Sequence, residues 1–123
     1  MSAQEQTEPT LAATRAAAES ARAANHAAYG SPRGSTSNAY DRTRALHQLL
    51  GSVEQLARML GEDVTRLRGT TGLRSTDSGD PGAQALAAAA DLDDAAQDLT
   101  MAAARVNSAW SYLSSLYIQD GAR

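Results

Sequence analysis

Two stretches of this chain repeat an apolar residue at every seventh position, and a punctuated loop lies between them. In the first, Leu46, Val53, Leu60 and Leu67 mark the repeat, with Leu49, Leu50, Leu56, Ala57 and Val64 at intermediate positions. In the second, Leu92, Leu99, Val106 and Leu113 mark it, and Ala85 extends it backward. Such a repeat gathers its members on one side of an α-helix and does not fit the two-residue alternation of a half-buried strand. The pattern predicts two long antiparallel helices, B and C, meeting along a coiled-coil-like seam.

Local chemistry sets the expected bounds. Helix B is predicted over 38–68, because Asn38, with Asp41 three positions on, can accept the free amide hydrogens of a first turn. Helix C is predicted over 81–118, starting where Asp80 precedes Pro81, since a first-turn proline forfeits no helical hydrogen bond. The intervening GTTGLRSTDSGDPG, residues 69–82, is long for a helix–helix connection. An alanine-rich helix A is predicted over 8–29, with Thr7 as its cap, Pro9 in its first turn and Gly30-Ser31-Pro32 at its end. The run GSPRGSTS at 30–37 reads as loop. The expected protein is thus all-α, a single helical domain over 8–118 with flexible ends at 1–7 and 119–123. Gly51 and Gly61 each cost helix B about 1 kcal/mol relative to alanine. Either marks a break or a close approach by a neighbouring helix.

Composition then limits how such helices bury themselves. Of 52 apolar residues, 27 are alanine; without these and Met1, 24 large apolar side chains remain, none of them Phe. So few large side chains offset only part of the ordering entropy of the chain. Burial against a copy of itself, as a homo-oligomer, or against a helical protein partner is the expected remedy. The absence of cysteine excludes disulfide frameworks, thiolate metal sites and cysteine nucleophiles. No apolar run approaches the ~20 residues of a membrane span. The polar start MSAQEQTEPT lacks signal-peptide character, so a cytoplasmic location is expected. All eleven basic residues are Arg, against fourteen acidic ones, for a net charge of −3. That balance argues against a nucleic-acid surface, and the bias toward Arg, Ala and Gly points to GC-rich bacterial coding.

Several residue clusters carry possible chemistry. The segment VEQLARMLGEDVTRLRG from Val53 resembles the helix-turn-helix family, with Ala57 four positions before Gly61 and Leu56, Leu60 and Leu67 at apolar positions. The resemblance implies a DNA-binding regulator over 53–68, with Arg66 and Arg68 as its readers. It departs from the family at Glu62 and Thr70, where apolar residues belong, and at Gly69, which shortens the second helix. Asp91, Asp94 and Asp98 share a flank of helix C, where carboxylates can hold a cation or face an Arg-bearing helix. No second acidic helix accompanies them, and a solvated face without metal is the expectation. His26 and His47 have no Ser or Asp in recognisable catalytic spacing. There is neither a Walker-type loop nor a dinucleotide fingerprint. A non-enzymatic role without a cofactor or small-molecule substrate is therefore expected.

The segment WSYLSSLYI concentrates the bulky residues. Trp110, Leu113 and Tyr117 fall on one face and Tyr112 and Leu116 on another, with Ile118 at the end. One face can close the bundle, and covering both requires a partner, so these six are the expected partner-binding residues. In outline the chain is similar to the small secreted helical hairpins that carry Trp-X-Gly at their turn. The only Trp here, however, lies late in helix C and is followed by Ser111-Tyr112. The loop at 69–82 has no aromatic, and Tyr117-Ile118-Gln119-Asp120 falls one residue short of that family's tail signal. No membership follows.

Overall fold

A computed structural model describes residues 8–30 and 36–119, and three helices account for most of them: α1 Pro9–Gly30, α2 Thr36–Leu67 and α3 Pro81–Leu113. The described residues contain no strand. The expected termini 1–7, most of the 30–37 loop and residues 120–123 lie outside the described residues. The sequence suggests one domain; the structure divides the chain into two units, Met1–Gly34 and Ser35–Arg123.

In the first unit, the Glu8 carboxylate accepts hydrogen bonds from the amides of Thr10 at 2.8 Å and Leu11 at 2.9 Å. These bonds, the one from Thr10 foremost, lower the Glu8 carboxyl pKa from its ordinary value. Glu8 therefore serves as the acceptor at the helix start; Thr7, expected in that role, lies outside the described residues. No residue of α1 is buried, as its near-absence of large side chains foretold.

In the second unit, α2 and α3 pack against each other along their lengths. Tyr40 meets Trp110, Glu54 meets Thr100, and Gly61 lies beside Leu92 and Asp93. Numbers rising on one helix fall on the other, so the pair is antiparallel, as expected. At ~1.5 Å per residue, α2 is a rod of about 48 Å.

Two boundaries differ from expectation. Helix α2 begins at Thr36 rather than after a cap at Asn38, and Thr36 and Tyr40 line a shallow recess together with Leu113, Ser114 and Leu116. Helix α3 ends at Leu113, not at 118. Its last amides shift to three-residue bonds, Ser115 to the Tyr112 carbonyl and Leu116 to that of Leu113, while the hydroxyls of Ser111 and Ser114 bond carbonyls of the closing turns. The start at Asp80-Pro81 is as read: the Asp80 carboxylate accepts from the amides of Gly82 and Ala83. Finally, α2 runs unbroken through both Gly51 and Gly61.

The two glycines do different things. A Cβ at Gly61 would stand 3.2 Å from Asp93 Oδ1 and 3.6 Å from Leu92 Cβ, so this glycine marks the close approach of α3. A Cβ at Gly51 would meet nothing within 4 Å. Gly51→Ala is therefore expected to stabilise the hairpin by about 1 kcal/mol in thermal or urea denaturation, the full difference in helix propensity. A loss of stability would place a close neighbour over that position.

Candidate interaction surface

The faces of α2 and α3 that meet are narrower than the sequence suggests. On α3 they are Ala85, Ala89, Leu92, Ala96, Leu99, Ala103, Val106, Trp110 and Leu113, all at least half-buried and alternating in steps of four and three. On α2 the same alternation runs through Tyr40, Thr43, His47, Leu50, Glu54, Ala57, Gly61 and Val64. Small residues sit at the middle: Ala89 is 5% exposed, Ala96 is 0% exposed, and Gly61 is buried. Small groups on both sides let the backbones approach closely, whereas a row of leucines there would hold the helices apart.

The consequence is a correction to the expected seam. Of the predicted α2 repeat, Leu50, Ala57 and Val64 face α3. Leu46, Leu49, Val53, Leu60 and Leu67 remain 39–48% exposed. Counting 100° per residue, they lie about a quarter-turn around α2 from the line that meets α3. Leu56, half-buried, lies with them. The opposite margin of the contact is polar: Glu54 accepts from Arg58 and from the Thr100 hydroxyl, and Arg58 also reaches that hydroxyl. The Arg58 bond, then that from Thr100, lowers the Glu54 carboxyl pKa. This hairpin thus has a polar margin and a leucine margin.

The bulky segment at the end of α3 splits into two groups. Trp110 and Leu113 turn toward α2; the indole ring lies 5.3 Å from the Tyr40 ring, tilted by 44°, with the Arg44 guanidinium 5.9 Å from its centroid. Both contacts are of the attractive kind for an electron-rich ring. The Trp110 Nε1 is buried and has no hydrogen-bond partner among the described residues. Tyr112, Leu116, Tyr117 and Ile118 are 58–80% exposed, and the last three follow the end of the helix. The six expected partner-binding residues are thus not one surface: two hold the hairpin together and four face outward.

The loop before α3 is held by its own side chains. Asp77 accepts from the Ser75 hydroxyl, the Gln84 amide and the Gly79 backbone. Those bonds, led by Ser75, hold its carboxyl pKa down at about 2 from an ordinary 3.8. A depressed carboxyl contributes above its unfolded pKa, so this latch persists to mild acid and is lost as the pH falls through about 2. A side chain on Gly79 would intrude on it, its Cβ lying 2.6 Å from Gln84 Nε2, and Gly72 takes a φ of +88° that favours glycine.

The remaining candidates fall apart geometrically. Because α2 passes straight through Gly61, residues 53–68 do not form two helices and a turn, and the docking geometry implied by that resemblance is absent. Arg66 is paired with Asp63 at 2.7 Å, and the Arg68 stem lies toward Gly82 at the start of α3. Among the described residues, no three His, Asp or Glu side chains could hold a metal ion, and Asp91, Asp94 and Asp98 stay spread along their flank. His26 is exposed on α1, and His47 is half-buried in the α2–α3 contact. No described helix is long and apolar enough to cross a membrane.

Sequence reasoning missed which side of α2 would be free. A signal was present: the facing side of helix C carries Ala85, Ala89, Ala96 and Ala103 between its larger residues, and the thin side of helix B, through Ala57 and Gly61, is the one that matches it. Comparison with protein-family models, with curated proteins and with solved structures gives no match for this chain.

Proposed function

We propose that this protein is a non-enzymatic helical interaction module of the cytoplasm, which associates with copies of itself or with a helical protein partner through the leucine margin of α2. The observation that carries the reading is the placement of the large side chains. Leu46, Leu49, Val53, Leu60 and Leu67 form an apolar stripe, interrupted by Asp63 before Leu67, that the hairpin leaves open, while its packed centre is built from Ala89, Ala96 and Gly61. An ordered apolar stripe of this length is the signature of a helix-docking face. The exposed Tyr112, Leu116, Tyr117 and Ile118 add a second apolar patch near the open end of the hairpin.

The test is a variant that removes the stripe and spares the hairpin. Leu49→Gln, Val53→Gln and Leu60→Gln together are expected to keep the helical circular-dichroism signal and to abolish association by light scattering. An unchanged assembly would show that the stripe is not the docking face.

A further inference from the structure

Two exposed charged residues stand on the line of the stripe. Extending its four-and-three spacing by one step each way gives Arg42, Leu46, Leu49, Val53, Leu56, Leu60, Asp63 and then Leu67. Arg42 closes one end, and Asp63 stands on the same line about 30 Å away along the helix. Both are exposed. The series between them is close to symmetric about Val53: Leu46 is seven positions before it and Leu60 seven after, Leu49 and Leu56 are four before and three after, and Arg42 and Asp63 are eleven before and ten after.

We propose that the occupant of this face is a second copy of the same chain, laid antiparallel, with Val53 near the two-fold axis. This rests on the reading above and adds the partner and its direction. In that register Leu46 of each copy meets Leu60 of the other, Leu49 meets Leu56, and Arg42 meets Asp63, twice by symmetry. A parallel pairing in the same register would set Arg42 against Arg42 and Asp63 against Asp63, which like-charge repulsion disfavours. Asp63 already pairs with Arg66, but both side chains are 65–72% exposed, and so open a pair yields readily to a better one. The product is a four-helix arrangement in which each α2 contacts α3 on one side and its counterpart α2 on another.

Because the chain contains no cysteine, introduced thiols report this geometry without interference. Full-length Arg42→Cys and Asp63→Cys chains are mixed and treated with a short bis-maleimide. The mixture is expected to cross-link between the two variants, and Arg42→Cys alone is not. Because a cysteine removes the charge it reports on, a charge exchange serves as the second arm. Arg42→Asp is expected to weaken dimerisation roughly tenfold, and adding Asp63→Arg to restore most of it. Self-cross-linking of Arg42→Cys, or failure of the exchange to restore affinity, would overturn the antiparallel pairing while leaving α2 a docking face. A chain that stays single and poorly stable at every concentration would overturn the second copy as occupant in favour of a different helical partner.

Discussion

Trp110→Ala is expected to lower stability by about 3 kcal/mol, at the lower end of the range for aromatic truncation because the indole is not fully buried. For a domain of this size that is a fall in melting temperature on the order of 10–20 °C. The indole spans the end of the α2–α3 contact, where it meets the Tyr40 ring and the Arg44 guanidinium, and alanine would remove both contacts together. The informative companion is Trp110→Phe. Its ring keeps the aromatic contact and discards Nε1, a buried donor that has no acceptor among the described residues. An unsatisfied donor is a cost of about 1–3 kcal/mol, so its removal offsets much of the lost ring area. The phenylalanine variant should therefore melt within a few degrees of the parent. Equal losses for the two variants, compared at one protein concentration, would mean that the indole nitrogen is bonded and the account of this end is wrong.

The second large effect is expected at the centre of the contact. Ala96 is 0% exposed, and its α3 neighbour along the contact, Ala89, lies beside Gly61 of α2. Ala96→Leu forces extra volume between backbones that small side chains allow to approach. The cost expected from overpacking is about 1–3 kcal/mol. Ala90→Leu is the control: it adds the same group on the exposed side of the same helix, where its effect should stay within ~0.5 kcal/mol. A tolerated leucine at 96 would show that the helices are not held at close range.

Much of this fold was legible from residue spacing, and each failure has a physical origin. The α3 line through Ala85, Leu92, Leu99, Val106 and Leu113 was readable because a seven-residue repeat fixes a face, and Asp80-Pro81 fixed the start of the helix through capping chemistry. The side of α2 was not readable from hydrophobicity. Its most apolar line, through Leu46, Val53 and Leu60, lost the position opposite α3 to a thinner line through Leu50, Ala57 and Gly61, because the partner face is small at its buried centre, Ala89 and Ala96, and close packing rewards complementary volume over total apolar area. The C-terminal end of α3 was overrun because Leu116, Tyr117 and Ile118 continue the apolar pattern, whereas the serines at 111 and 114 offer the backbone competing bonds. The apparent turn at Gly61 failed because one glycine in a helix costs only about 1 kcal/mol, which packing against α3 offsets. As for the candidate surface, the bulky end was visible as composition, but its division into Trp110 and Leu113 within the contact and four residues outside it needed the path of the chain after Leu113.

The central claim is that the leucine margin of α2 is covered by another helical surface in solution. Its most direct test is the melting temperature of the unmodified chain across a hundredfold range of concentration, with the mass measured at each point. Association that buries the stripe makes the folded state a function of concentration. The predicted result is a melting temperature that rises by several degrees across the range, together with a mass above the 12.8 kDa of one chain. A high melting temperature independent of concentration, with the mass of a single chain throughout, would contradict it.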